Sequence, residues 1–121
     1  MELTSEHKDK INKLLLEYQL RIRPLIPQIE VLDGEFPVPI FNELRGFLNH
    51  LASIALLESG QVINPTSNIE TELDKAASHI KRAALDCYKF LCVSLEDEYN
   101  KFEKDYKDTD LSLVSDGKFI Q

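Results

Sequence analysis

The sequence predicts an all-α fold, an antiparallel helical bundle of three to four helices. Three observations carry that reading. Apolar residues recur at helical spacing through most of the chain, alternation suited to strands is absent, and only four glycines interrupt the 121 residues. The length fits one domain with a modest core, assigned here to residues 1–107, followed by a tail over 108–121.

The first helix is expected to start at Thr4 or Ser5 as N-cap, with Glu6 in its first turn, where the helix dipole favours an acid. Ile11, Leu14, Leu15, Tyr18 and Ile22 form its apolar stripe. Pro24 and Pro27 are expected to end or kink it, because each lacks an amide donor and crowds the preceding turn. The segment from Ile29 to Pro37, with Asp33-Gly34 inside it, reads as a connecting turn.

Pro39 suits the first position of a second helix, whose apolar face runs through Ile40, Phe41, Leu44, Phe47, Leu48, Leu51, Ile54 and Ala55. Gly60 is its expected terminator, and a loop follows from Gln61 to Ser67. Ser67 and Glu70 have the spacing of a capping box for a third helix. That helix carries a stripe from Leu73 to Tyr106 and, unbroken, would extend ~57 Å. Two outcomes are open: a break near Val93 to Asp97, giving four helices, or a projecting end that pairs with another chain. The tail from Asp108 reads either as the start of a truncated region or as a segment that awaits a partner surface.

Composition excludes several function classes. The net charge of −7 is the reverse of the balance a broad nucleic-acid-binding surface needs, although a local basic cleft is compatible with it. No apolar run approaches the ~18 to 20 residues of a membrane span, and the polar, acidic start Met1 to Glu6 is unlike a secretory signal. Cys87 and Cys92 fit no zinc or redox spacing and read as core residues of a cytoplasmic protein. His7, His50 and His79 are scattered, so neither a metal nor another cofactor is expected.

The most chemical segment is Glu43-Leu44-Arg45-Gly46-Phe47-Leu48-Asn49-His50. Arg45 and His50 stand five residues apart on an otherwise apolar helix, beside Glu43 and Asn49. Such side chains on a bundle helix call for partners, a ligand or a reacting phosphate. A second polar stripe, His79, Arg82 and Asp86, falls at i, i+3 and i+7 of the third helix and is expected to face the first. A plainer reading stands beside this one. Arg45 would pair with Glu43 or Glu30, His50 would be a hydrogen-bonded residue at the core edge, and the second stripe would be a solvated face.

On Arg45 and His50 the chain resembles the HEPN superfamily of small α-helical bundles. Many members carry an Arg-x(4 to 6)-His motif and cleave RNA without a metal. The resemblance implies a metal-independent endoribonuclease or RNA-processing effector of a defence or toxin system, working as a homodimer on an RNA substrate. Arg45 and His50 would be its catalytic pair, with Asn49 and Glu43 in support. Many members have Asn after the arginine, where this chain has Gly46. At ~100° per residue, Arg45 and His50 lie about 140° apart around the helix, so one helix alone does not aim both at one point, whereas a symmetric dimer could place the arginine of one protomer near the histidine of the other. The alternative is a non-catalytic helical dimerisation or partner-binding module, acting through the amphipathic C-terminal helix around Tyr99, Phe102 and Tyr106.

Overall fold

The structure, a computed structural model, describes residues 2–61 and 66–107. The tail over 108–121 and residues 62–65 of the expected loop lie outside them. Among the described residues the chain is all-α, with no strand: α1 (Ser5–Glu17), a π-helical turn (Tyr18–Ile22), α2 (Leu25–Asp33), α3 (Val38–Glu58) and α4 (Ile69–Tyr106). No helix among them is long and apolar enough to cross a membrane.

Thr4 caps α1 through a capping box that uses a histidine. The Thr4 hydroxyl accepts from the His7 amide, and the Thr4 amide donates to His7 Nδ1, each at 3.1 Å. With Nδ1 accepting, the proton sits on Nε2, which donates to Glu70 at 2.7 Å and clips α1 to the start of α4. That hydrogen bond, more than the ion pair with Lys10, holds the Glu70 carboxyl below its ordinary range.

Pro24 and Pro27 bend the first helix without ending it. The ring of Pro24 would crowd a regular α-turn, and the backbone widens into the π turn, where the Arg23 amide reaches back five residues to the Tyr18 carbonyl at 2.8 Å. Pro24 and Pro27 then fall in the opening turn of α2, where missing amides cost little. The expected connecting turn from Ile29 is therefore corrected: Ile29 to Asp33 are helical, Ile29 is fully buried, and the stop comes at Gly34, with φ of 73°.

Pro39 occupies the second position of α3, behind Val38, and not the first. The helix ends as expected at Gly60, whose φ is 89°, with the Gly60 amide on the Leu57 carbonyl and the Gln61 amide on that of Leu56. The cap of α4 is also corrected. Asn68, not Ser67, accepts from the Thr71 amide at 2.8 Å, which frees Ser67 for another partner.

α4 is unbroken over 38 residues and about 57 Å, and α1, the π turn, α2 and α3 all pack along it. α3 runs antiparallel to it. The main core joins Ile22, Ile29, Ile40, Phe47, Ala76, Ile80, Ala83 and Cys87. A smaller one at the α3–α4 turn holds Ile54, Leu57, Ile69 and Leu73. Leu48, expected on the buried face, is exposed because it lies one residue, ~100°, round from Phe47. Beyond Ser94 every described residue of α4 is exposed.

Candidate functional site

Glu43 and His50 stand seven residues apart on α3, two turns, and so share one face. Glu72 and His79 have the same spacing on α4. Because the helices run antiparallel, each glutamate meets the other helix's histidine. His50 Nδ1 lies 2.6 Å from Glu72 Oε2, and His79 Nδ1 lies 2.8 Å from Glu43 Oε2. The two imidazoles come together between the pairs, with ring centroids 5.2 Å apart and planes inclined by 21°.

The tautomers follow from these contacts. A carboxylate only accepts, so the short bonds put a proton on Nδ1 of both rings. Arg82 also approaches His79 Nδ1, at 3.3 Å, but a nitrogen already donating to Glu43 offers it no lone pair. Its better contact is from Nε to the same Glu43 oxygen at 3.2 Å. Neither Nε2 has a partner among the described residues, and no buried side-chain nitrogen or oxygen there lacks one. Both imidazole side chains are partly exposed, by 24% and 23%.

Glu72 is the most enclosed member of the group. Its second oxygen accepts from the Ser67 hydroxyl at 3.0 Å. Burial alone would raise its carboxyl, but the hydrogen bonds from His50 and Ser67, with the positive charge of His50 and Lys75, outweigh that and hold it below the ordinary carboxylate range. It is thus ionised at neutral pH and fixes the orientation of His50.

Gly46 makes the meeting of the rings possible. A Cβ there would lie 2.5 Å from His79 Cε1 and 2.7 Å from both ring nitrogens. Gly46 is the floor on which the His79 ring rests.

The expected site residues separate into two groups. His50, Glu43, His79 and Arg82 are brought together. Arg45 is exposed, on the side of α3 away from Glu43, and makes no ion pair among the described residues; Glu43 is taken by His79 and Arg82. Asn49 is exposed as well. Asp86 lies two turns along α4 from His79, in a separate hollow with Asp33, Pro39 and Lys89. Glu72, Ser67 and Gly46 complete the cluster without having stood out as site residues. The signal for Glu72 was available in the repeated Glu-x6-His spacing.

Chemically, the arrangement is two carboxylate-oriented imidazoles with open Nε2 atoms, beside a guanidinium. It can accept one proton, deliver another and attract an anion. Among the described residues no group of three or more His, Cys, Asp or Glu side chains is placed to hold a metal ion. No family model, curated protein or solved structure matches the chain.

Proposed function

We propose that this protein is a metal-independent ribonuclease whose acid–base pair is His50 and His79. The observation that carries the reading is the contact of the two rings, each held at Nδ1 by a carboxylate and each open at Nε2. Cleavage by the RNA's own 2′-hydroxyl needs these groups. One neutral imidazole takes the 2′ proton through Nε2 as the oxygen attacks phosphorus. The other, protonated, gives its Nε2 proton to the departing 5′-oxygen as the P–O5′ bond breaks. The products are a 2′,3′-cyclic phosphate and a 5′-hydroxyl end, and the two rings have exchanged charge states.

Glu72 and Glu43 hold the rings in the tautomer that presents a lone pair or a proton to the substrate. Arg82, about half exposed, and Lys75 supply local positive charge in a protein that is acidic overall. This keeps His50 from the HEPN-like pair, replaces Arg45 with His79 as its catalytic companion, and needs only one copy of the chain.

The test is cleavage of a single-stranded RNA by purified protein in EDTA. His50→Ala and His79→Ala should each lower kcat/KM by about 10² to 10⁴. Absence of cleavage, or equal cleavage by all three proteins, would contradict the reading.

The exposed outer half of α4 favours a second reading, a partner-binding helical module in which the two His–Glu pairs serve to seal α3 against α4. The EDTA experiment separates the two, because only the first gives histidine-dependent cleavage.

A further inference from the structure

At seven-residue intervals one flank of α4 reads Lys75, Arg82, Lys89, Glu96 and Glu103, cations followed by acids, all of them exposed. This flank borders an apolar seam. Leu85, Tyr88, Cys92, Leu95, Tyr99 and Phe102 alternate in steps of three and four, as positions a and d of a heptad repeat, which makes the charged flank position e. Leu95 and Tyr99 are 58% and 64% exposed. Phe102, 41% exposed, is engaged within its own chain, where its ring meets that of Tyr106 at 4.8 Å.

The order of the charges selects the occupant of the seam. Two copies of α4 docked antiparallel bring e beside e and g beside g. The whole seam is used when Leu85 meets Phe102 of the second copy, Tyr88 meets its Tyr99, and Cys92 meets its Leu95. That register also sets Lys89 beside the second copy's Glu96 and Arg82 beside its Glu103, and twofold symmetry repeats each pair. On the other flank, position g, Glu98 falls beside Leu91 and Asp105 beside Ala84, so no acid meets an acid. Past Ala84, the groove between α1 and α4 adds Lys13, together with Arg21 in its ion pair with Glu17.

Other arrangements are penalised by the same residues. A slide of one heptad either way sets Glu96 against Glu96 or Lys89 against Lys89, and a parallel pair sets Glu98 against Glu103. Within one chain, Arg82 contacts Glu43, whereas Lys89, Glu96 and Glu103 make no ion pair among the described residues.

We propose that the protein forms a symmetric homodimer in which α4 from Leu85 to Phe102 packs antiparallel on α4 of a second copy, with Cys92 next to the twofold axis. The part of each α4 beyond Ser94, exposed in a single copy, then lies along the Arg82 to Lys89 stretch of the other. The inference is independent of ribonuclease activity.

Sedimentation equilibrium of the full chain should show a dimer at micromolar concentration. Cys92 should react with a maleimide in dilute, monomeric protein and progressively more slowly as the dimer fills. Lys89→Glu and Glu96→Lys should each weaken dimerisation by about tenfold or more, because each creates like-charge pairs. Mixed in equal amounts, these two variants should dimerise with each other as tightly as the native chain, since every e pair is then again opposite in sign. Leu95→Glu with Tyr99→Glu should be monomeric. These side chains are exposed, and circular dichroism checks that each variant keeps its helix. A native monomer at micromolar concentration, single charge variants that dimerise undiminished, or a mixture no tighter than its components would each overturn the proposal.

Discussion

Glu72 on α4 holds the imidazole of His50 on α3 at 2.6 Å, and the same relationship recurs with the helices exchanged, Glu43 holding His79 at 2.8 Å. The reciprocity follows from two equal Glu-x6-His spacings on antiparallel helices. It turns two local polar interruptions into one cluster that both fixes the register of α3 on α4 and presents a pair of histidines.

Glu72 should make stability depend on acid. Its carboxyl titrates below the ordinary value of 4.5 in the folded protein, so its contribution is complete above that value and is lost as pH falls through the lower, folded one. Urea unfolding at pH 7, 5 and 3 should show a steeper loss for the native protein than for Glu72→Gln. At pH 7 the substitution should cost about 1–3 kcal/mol, since it weakens a buried, charge-assisted hydrogen bond. Parallel pH profiles would contradict this role.

Gly46→Ala should separate chemistry from stability. The new Cβ drives the His79 ring off Glu43, losing about 1–2 kcal/mol of hydrogen bonding, while helix propensity returns about 1 kcal/mol. The ring is the far end of a partly exposed side chain and can swing outward. The unfolding midpoint should therefore change little, whereas the His79 imidazole NMR signals should shift and RNA cleavage should fall as far as in His79→Ala.

The pairings across the helices should be energetically separate from Arg45. Double-mutant cycles on chemical denaturation should give a coupling of about 0.5–3 kcal/mol for His50 with Glu72 and for His79 with Glu43. Arg45 with His50 should give a coupling near zero.

The two thiols should differ sharply. Cys87 is fully buried, and burial, helped by the nearby charge of Asp86, pushes its thiol up to about 11, while Cys92 is exposed. Native protein at pH 8 should expose one thiol to a maleimide or disulfide reagent, and the second only on unfolding. Two fast-reacting thiols would contradict the packing of α4 on the main core.

The helices were legible because burial of one face writes itself into local spacing, as in Ile40, Phe47 and Ile54 of α3. Caps were less so. Ser67 had the right spacing for a capping box, but Asn68 has the side chain that reaches the Thr71 amide, and Ser67 turns to Glu72. The prolines marked the bend correctly, yet the π turn that absorbs them, and with it the burial of Ile29, depends on packing against α4. The site was half legible. Spacing along one helix draws attention to Arg45 and His50, but 140° of rotation separates them. The partners of His50, Glu72 and His79, come from α4, a non-local fact that only the repeated Glu-x6-His spacing foreshadows.

The central claim is that His50 and His79 act together on one phosphodiester. Its most direct test is the identity of the ends formed when an RNA oligonucleotide is incubated with the protein in EDTA, read by mass spectrometry. The account predicts a 2′,3′-cyclic phosphate and a 5′-hydroxyl, no reaction at a 2′-deoxy position, and loss of the product in both His50→Ala and His79→Ala. An uncut oligonucleotide, cleavage at the 2′-deoxy position, or the same products from either variant would contradict it.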